Sequence, residues 1–438
     1  MFEPRPGVLP PREWNFPVPK RRVLDNGMTV LAFQRDGQHI ASAELVLDVP
    51  LTGEPADREG VGTLTQRCLA EGTRTHPGSD FATAVDSLGA VVDGLAGHSA
   101  TQLMLEVPAA RLAPGLALLA ESLIEPELAD ADVERLREIR LAEIDQELAN
   151  SAHRAAVAFR SAVMPGRFRA ARPSGGLAET VANVETADVV AFHERYRPPG
   201  ATLVLAGDFA SDPFAAAEAA FGGWSAAPGE LPVHETPVAR PATCQLIDRP
   251  GAVQADVRLG GFGLDRADPD HAALAVACHA LGGSFLSRLN RELREERGFT
   301  YGVHLVNHPL RTGGLVAVQG SFRTGVVAEA LERARDILDV RAAPITDAEV
   351  AKAVSYARGV APLQYSTAPA LAGGVATLAA DGLTYEYVDE HARALGRVTP
   401  ESATAALQRV LPPDRLTLVV VGDAETLAEP LRAAGWLA

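Results

Sequence analysis

An arginine and a tyrosine four positions apart, Arg297 and Tyr301, have the residue types and spacing to act on an oxygen atom. They lie in GGSFLSRLNRELREERGFTYGV, Gly282 to Val303, which reads as turn, helix, turn and strand. Leu286, Leu289, Leu293 and Glu296 recur at helical spacing, and Gly298 is placed to end the helix in the left-handed conformation that glycine reaches cheaply. Arg297 then sits on the last helical turn and Tyr301 opens the strand. A guanidinium with five donors and a phenol, brought to one sheet edge, suit the gripping of a carbonyl or carboxylate oxygen. The same two residues also suit an ordinary helix end and an ordinary strand end.

The elements that must position this pair can be followed along the chain. Arg22 to Gln34 alternates around Asn26-Gly27, a hairpin signal. Ile40 to Val49 reads as a strand, and Glu59 to Leu69 as a short amphipathic helix carrying Val61, Leu64 and Cys68 inward. A helix follows from about Asp80 to Leu88. Ala90 to Asp93 and His98 to Val107 read as paired strands turning at Gly94-Leu95-Ala96-Gly97. Next come a helix with Leu112, Leu116, Leu119 and Leu123 on one face, and a charged helix from near Asp130 past Glu147. Ala201 to Gly207 is a buried strand and Pro213 to Phe221 a helix. Strands then recur in Val253 to Phe262 and Thr300 to Ser321, with helices from about His271 to Leu281 and in a series after Ser321.

ATLVLAGD at Ala201 recurs as LTLVVVGD at Leu416, each after a Pro-Pro pair and before a helix and a tryptophan, Trp224 or Trp436. The offset of 215 residues, close to half the chain, implies a tandem duplication. The fold expected is α+β: two homologous halves, each an antiparallel-rich sheet with helices on one face. Residues 1–224 form the first half and 244–438 the second. SAAPGELPVHETPVARPAT, 225–243, is the proline-rich linker between them.

The chain of 438 residues carries a formal charge of −16 and has no basic stripe, which argues against a nucleic-acid partner. Of 40 basic residues, all but Lys20 and Lys352 are arginine. Cys68, Cys244 and Cys278 lie far apart, without the spacing of a disulfide framework or thiolate metal site, and read as small buried hydrophobes. The proline-rich start reads as an extended arm with no signal peptide, and no run is long and apolar enough for a membrane helix. The expected location is the cytoplasm. His304 and His308, four apart in a strand-like setting without a carboxylate, read as strand-edge residues.

The segment around Arg297 and Tyr301 resembles the GG…SRLxxxLRExRGLxY segment in the C-terminal half of pitrilysin/insulinase-type (inverzincin) zinc metallopeptidases. The resemblance implies that the two homologous halves enclose a cavity and that Arg297 and Tyr301 hold the substrate's carbonyl oxygen. It also implies a zinc helix G-L-x-H-x-x-E-H-x-x-x-x-G-T in the first half, where GVGTLTQRCLAEGT, Gly60 to Thr73, aligns. That helix would place two imidazoles on one face and a glutamate beside them to activate water. Here Thr63, Gln66 and Arg67 occupy those positions: a poor ligand, a side chain that cannot act as base, and a permanent cation. Glu143 matches the family's third ligand, 76 residues beyond Arg67, and Leu136 replaces a second acidic residue. Glu143 equally suits a solvated helix position. An Arg67–Glu143 ion pair is expected in place of the metal.

The resemblance further implies a non-catalytic, substrate-binding subunit of a heterodimeric zinc endopeptidase, akin to bacterial pairs and to mitochondrial processing peptidase. Such a chain holds no metal of its own and is inactive alone. Its partner would be a homologous H-x-x-E-H chain carrying the zinc, its substrate a peptide. Two other readings stay open: a scaffold like the core subunits of respiratory complexes, and a zinc peptidase with reassigned ligands.

Overall fold

The computed structural model describes residues 14–225 and 232–437. Part of the expected arm, 1–13, and part of the expected linker, 226–231, lie outside the described residues. The first sheet is built from β1 (Lys20–Val23), β2 (Thr29–Gln34), β3 (Ile40–Leu47), β4 (Val91–Ala96), β5 (Thr101–Pro108) and β6 (Thr202–Gly207). The second contains β7 (Cys244–Asp248), β8 (Gln254–Gly263), β9 (Thr300–Pro309), β10 (Gly314–Arg323) and β11 (Thr417–Gly422). Their orders are β1-β2-β6-β3-β5-β4 and β7-β11-β8-β10-β9. β1 apart, the two orders are the same. In each, the strand that closes the half pairs in parallel with the strand that opens it, β2 with β6 and β7 with β11, and every other pairing is antiparallel. Thr202 and Thr417 open the two closing strands at the expected offset. The duplicated α+β architecture is therefore present at the level of topology.

Burial explains the residue choice. β6 and β11 lie between neighbours on both sides and are buried throughout or nearly so, which requires the unbroken runs TLVLAG and TLVVVG. β4, by contrast, lies at the edge and alternates exposed and half-buried residues. The β4–β5 connection departs from expectation. β4 continues through Gly94, and the turn lies at Gly97–Ala100, closed by the Gly97 N–H donating to the Ala100 carbonyl at 2.9 Å. Gly94 is a strand residue chosen for clearance: a Cβ there would lie 2.4 Å from the Gln102 carbonyl oxygen and 2.8 Å from the Gln66 amide nitrogen. Cys244 also departs from expectation, being only half-buried because β7 is an edge strand, whereas Cys68 and Cys278 are buried.

Each sheet has its own half's helices on one face. In the first half these are α1 (Val61–Cys68), α2 (Ser79–Ser87), α3 (Leu112–Ile124) and α4 (Asp130–Ala149), whose Leu64, Phe81, Leu116, Leu119 and Val133 join Met28, Leu45, Leu103 and Leu105 in one core. The opposite faces are partly met by an exchange. α5 (Ser151–Val163) crosses to the second sheet and packs Phe159, Ala162 and Val163 against Leu315, Ala317, Val419 and Val421. The helix Ala368–Ala380 crosses the other way and packs Leu371, Ala372 and Val375 against Leu31, Phe33, Val204 and Ala206. Each of these helices follows the long helix of its own half, α4 or Asp347–Gln364, so the exchange obeys the duplication. Trp14 and Phe16 strengthen the contact by packing on Tyr365, Trp14 stacked with centroids 6.0 Å apart.

Candidate functional site

α1 begins at Gly60, held in the left-handed region at φ 103°, and its first N–H groups are capped by a buried carboxylate. Glu54 Oε1 accepts from the N–H groups of Gly60 at 3.0 Å and Gly62 at 2.9 Å. Its other oxygen meets Arg169 Nε at 2.6 Å, with both side chains out of solvent. A carboxylate at the positive end of the helix stabilises its first turn, ahead of Thr63, Gln66 and Arg67.

Their destinations differ. Thr63 Oγ1 turns toward the Ser174 carbonyl at 3.5 Å, and buried Gln66 lies against Gly94 of β4. Arg67 meets Glu143 on α4 as a two-pronged pair, Nη1 to Oε1 at 3.1 Å and Nη2 to Oε2 at 2.9 Å, the ion pair expected from the sequence. Glu143 is shared, since Oε2 also accepts from Arg140 Nη1 at 3.0 Å, and Arg140 grips Glu147 at 2.8 and 3.0 Å. Burial alone would raise the Glu143 carboxyl, but the hydrogen bonds and charges of Arg67 and Arg140 outweigh it and hold the group below its ordinary value. Leu136, buried on α4, helps line a pocket of about 220 Å³ beside Gln66 and Arg67 that reaches Val92 and Asp93 of β4.

This donor set does not fit zinc. Arg67 places a permanent cation on the carboxylate that a metal would need, and Gln66 and Thr63 offer neither a base nor a strong ligand. Among the described residues no three His, Cys, Asp or Glu side chains converge as a metal site.

Arg297 and Tyr301 belong to the other half. The segment Asn290–Glu296 is wound as π-helix, and Gly298 adopts φ 61°, the left-handed end expected. The Gly298 N–H donates to the Arg294 carbonyl at 3.1 Å. Arg297 is engaged by two acids, Nε with Glu292 at 2.6 Å and Nη1 with Glu329 at 2.7 Å, while its Nη2 makes no hydrogen bond among the described residues. Tyr301 projects from β9 with 93% of its surface exposed. No hydrogen bond joins either residue to Arg67 or Glu143 among the described residues. They share a structural position instead: β9 is the edge strand of the second sheet as β4 is of the first, and Val91 and Leu95 also stand exposed on that first edge.

Two family descriptions match the sequence: "Insulinase (Peptidase family M16)" over residues 29–165 and "Peptidase M16 inactive domain" over residues 183–356. An uncharacterized zinc protease of Streptomyces coelicolor is 27% identical over 421 residues, 92% of this chain and 89% of the relative. Cytochrome b-c1 complex subunit 1 of Bos taurus is 26% identical over 277 residues, 60% of this chain and 56% of that subunit. Among solved structures, a peptidase M16 inactive domain from Pseudomonas fluorescens superposes with a TM-score of 0.83 at 24% identity, covering 92% of this chain and 98% of that one.

Proposed function

This chain belongs to the insulinase family of peptidases, M16, and on that premise we propose that it is the non-catalytic, substrate-binding subunit of a two-chain zinc endopeptidase. One observation carries the reading. The helix that would hold zinc is intact in position and capped at its start, yet Arg67 occupies the metal's place on Glu143. The fold is kept while the hydrolytic chemistry is lost, which leaves peptide binding as the retained task. Arg297 Nη2 and the exposed Tyr301 phenol are donors available at the β9 edge, where a peptide can add as a strand. The metal would come from a homologous H-x-x-E-H partner. We take residues 1–224 and 244–438 as the two halves and 225–243 as their linker, and place the protein in the cytoplasm; no helix among the described residues is long and apolar enough to cross a membrane.

A scaffold role is the second reading, favoured by the similarity to the b-c1 complex subunit and by the two glutamates on Arg297. The two are separated by co-expressing the chain with an H-x-x-E-H homologue and assaying peptide hydrolysis by each chain and by the mixture. The subunit reading expects cleavage by the mixture alone. Full activity of the partner by itself favours the scaffold.

A further inference from the structure

The exchange of helices creates a second feature, in the cleft between α5 and the second sheet. The cleft has a volume of about 390 Å³. On α5, His153, Ala156, Val157 and Arg160 fall at i, i+3, i+4 and i+7, one helix face, and all line the cleft. From the sheet come Arg258, directly opposite Gln319 in the β8–β10 pairing, and His308, opposite Leu315 in the β9–β10 pairing. His98, at the turn before β5, completes the wall.

Every titratable group in this lining is basic. Arg160 donates to the Ala170 carbonyl at 2.7 Å, and Arg258 to the carbonyls of Val257 at 2.9 Å and Ala152 at 3.0 Å. Carbonyls orient a guanidinium without neutralising it. Three nearby acids are paired elsewhere, Glu54 with Arg169, Glu59 with Arg172 and Glu147 with Arg140, while Asp256 accepts from the Ser321 hydroxyl and its charge acts on Arg258. Glu147 lies 3.6 Å from His153, and Glu235 accepts the N–H groups of Arg169 and Ala170. The Nδ1 of His98 is buried and has no hydrogen-bond partner among the described residues. Burial, then the charges of Arg160, Arg169 and Arg172, push His98 well below its ordinary value, and burial followed by Arg160 and Arg258 lowers His308. Burial holds both guanidiniums below their ordinary value, Arg160 with a further push from Arg169 and Arg258 with the charge of Asp256 as a partial offset, so an added anion would lower the cost of burying them.

We propose that this cleft binds an oxyanion between Arg160 and Arg258, with His98 and His308 as flanking donors: a peptide's C-terminal carboxylate, or a phosphate. Its size accommodates the last few residues of an extended peptide. The peptide arm rests on the peptide-binding reading above; the phosphate arm does not.

The test is calorimetric titration of the full chain with a short peptide as free acid, the same peptide as C-terminal amide, and inorganic phosphate. The free acid should bind and the amide should not. Arg258→Gln should weaken binding by about 10- to 100-fold, the usual effect of losing a charged hydrogen bond. Gln319→Glu, which places a carboxylate opposite Arg258, should abolish binding while raising the melting temperature, so that a loss through misfolding is recognised. Phosphate binding with the same response to the two variants, but no difference between acid and amide, supports the site and assigns it to phosphate. Equal binding of acid and amide without any phosphate binding, or unchanged affinities in both variants, overturns it.

Discussion

Substituting the two partners of the Arg67–Glu143 pair should have unequal costs, because the carboxylate has a second donor and the guanidinium has no second acid among the described residues. In Arg67→Met, Glu143 keeps Arg140 at 3.0 Å, so the carboxylate stays paired. In Glu143→Gln, Arg67 loses the one carboxylate it meets among the described residues, while Arg140 retains Glu147. Side-chain exposures of 31% and 36% allow solvent to screen the pair, which limits the coupling to about 1 kcal/mol. We expect Arg67→Met to cost about 0.5 to 1 kcal/mol, Glu143→Gln about 1 to 2, and the double variant about 1 less than their sum. Urea unfolding of the four proteins measures this cycle, and about 1 M salt should shrink the coupling. The pH dependence has a fixed sign: Glu143 sits below its ordinary value when folded, so the contribution is present above the unfolded carboxyl value and fades as pH falls through the folded one. A coupling of zero, or a larger cost for Arg67→Met than for Glu143→Gln, contradicts this assignment of donors and acids.

Three further expectations come from other parts of the molecule. Glu44, buried on β3, is pushed up to about 7 by burial and then by Glu106, so the folded chain keeps a proton that the unfolded chain has lost. Stability should therefore fall as pH rises from about 4.5 through 7, by about 3 kcal/mol in all, and Glu44→Gln should remove that loss, matching wild type near pH 4 and exceeding it near pH 8 in urea melts. Gly94→Ala would press a Cβ within 2.4 Å of the Gln102 carbonyl and should cost about 1 to 3 kcal/mol by the same assay; a neutral result would show that β4 yields easily. The isolated chain should carry no stoichiometric zinc by elemental analysis, whereas a Thr63→His/Gln66→Glu/Arg67→His variant, with Glu143 freed, should acquire it. Metal in the wild type, or none in the variant, contradicts the reading of α1 as a zinc helix without its ligands.

What the sequence revealed and what it hid have the same cause. Local periodicity locates α1, and the resemblance to the zinc peptidases, which sets α1's register and supplies the spacing to Glu143, anticipates the bond to Arg67. Gly298 is legible because a helix ending before a strand needs a left-handed residue there, and it has one. α5 is not legible. The whole helix reads SAHRAAVAFRSAV, and nothing local states that Phe159 and Val163 serve a sheet in the other half. The basic cleft is hidden for the same reason: Arg160 and Arg258 line one cleft only because of the exchange, and arginine is so abundant in this chain that neither stands out. Gly94 reads as a turn residue because glycine's commonest role outweighs its rarer one, clearance for a helix side chain.

Whether Arg297 and Tyr301 hold the scissile carbonyl is decided by the turnover of the assembled two-chain enzyme. If they do, their bonds strengthen as the oxygen gains charge in the transition state. Arg297→Ala or Tyr301→Phe in this chain should then lower kcat by about 10²- to 10³-fold, the usual effect of removing one such donor, with assembly and the partner's zinc content unchanged. Variant complexes that assemble normally and cleave at the wild-type rate would contradict the carbonyl grip and leave the pair as a helix end and a strand end.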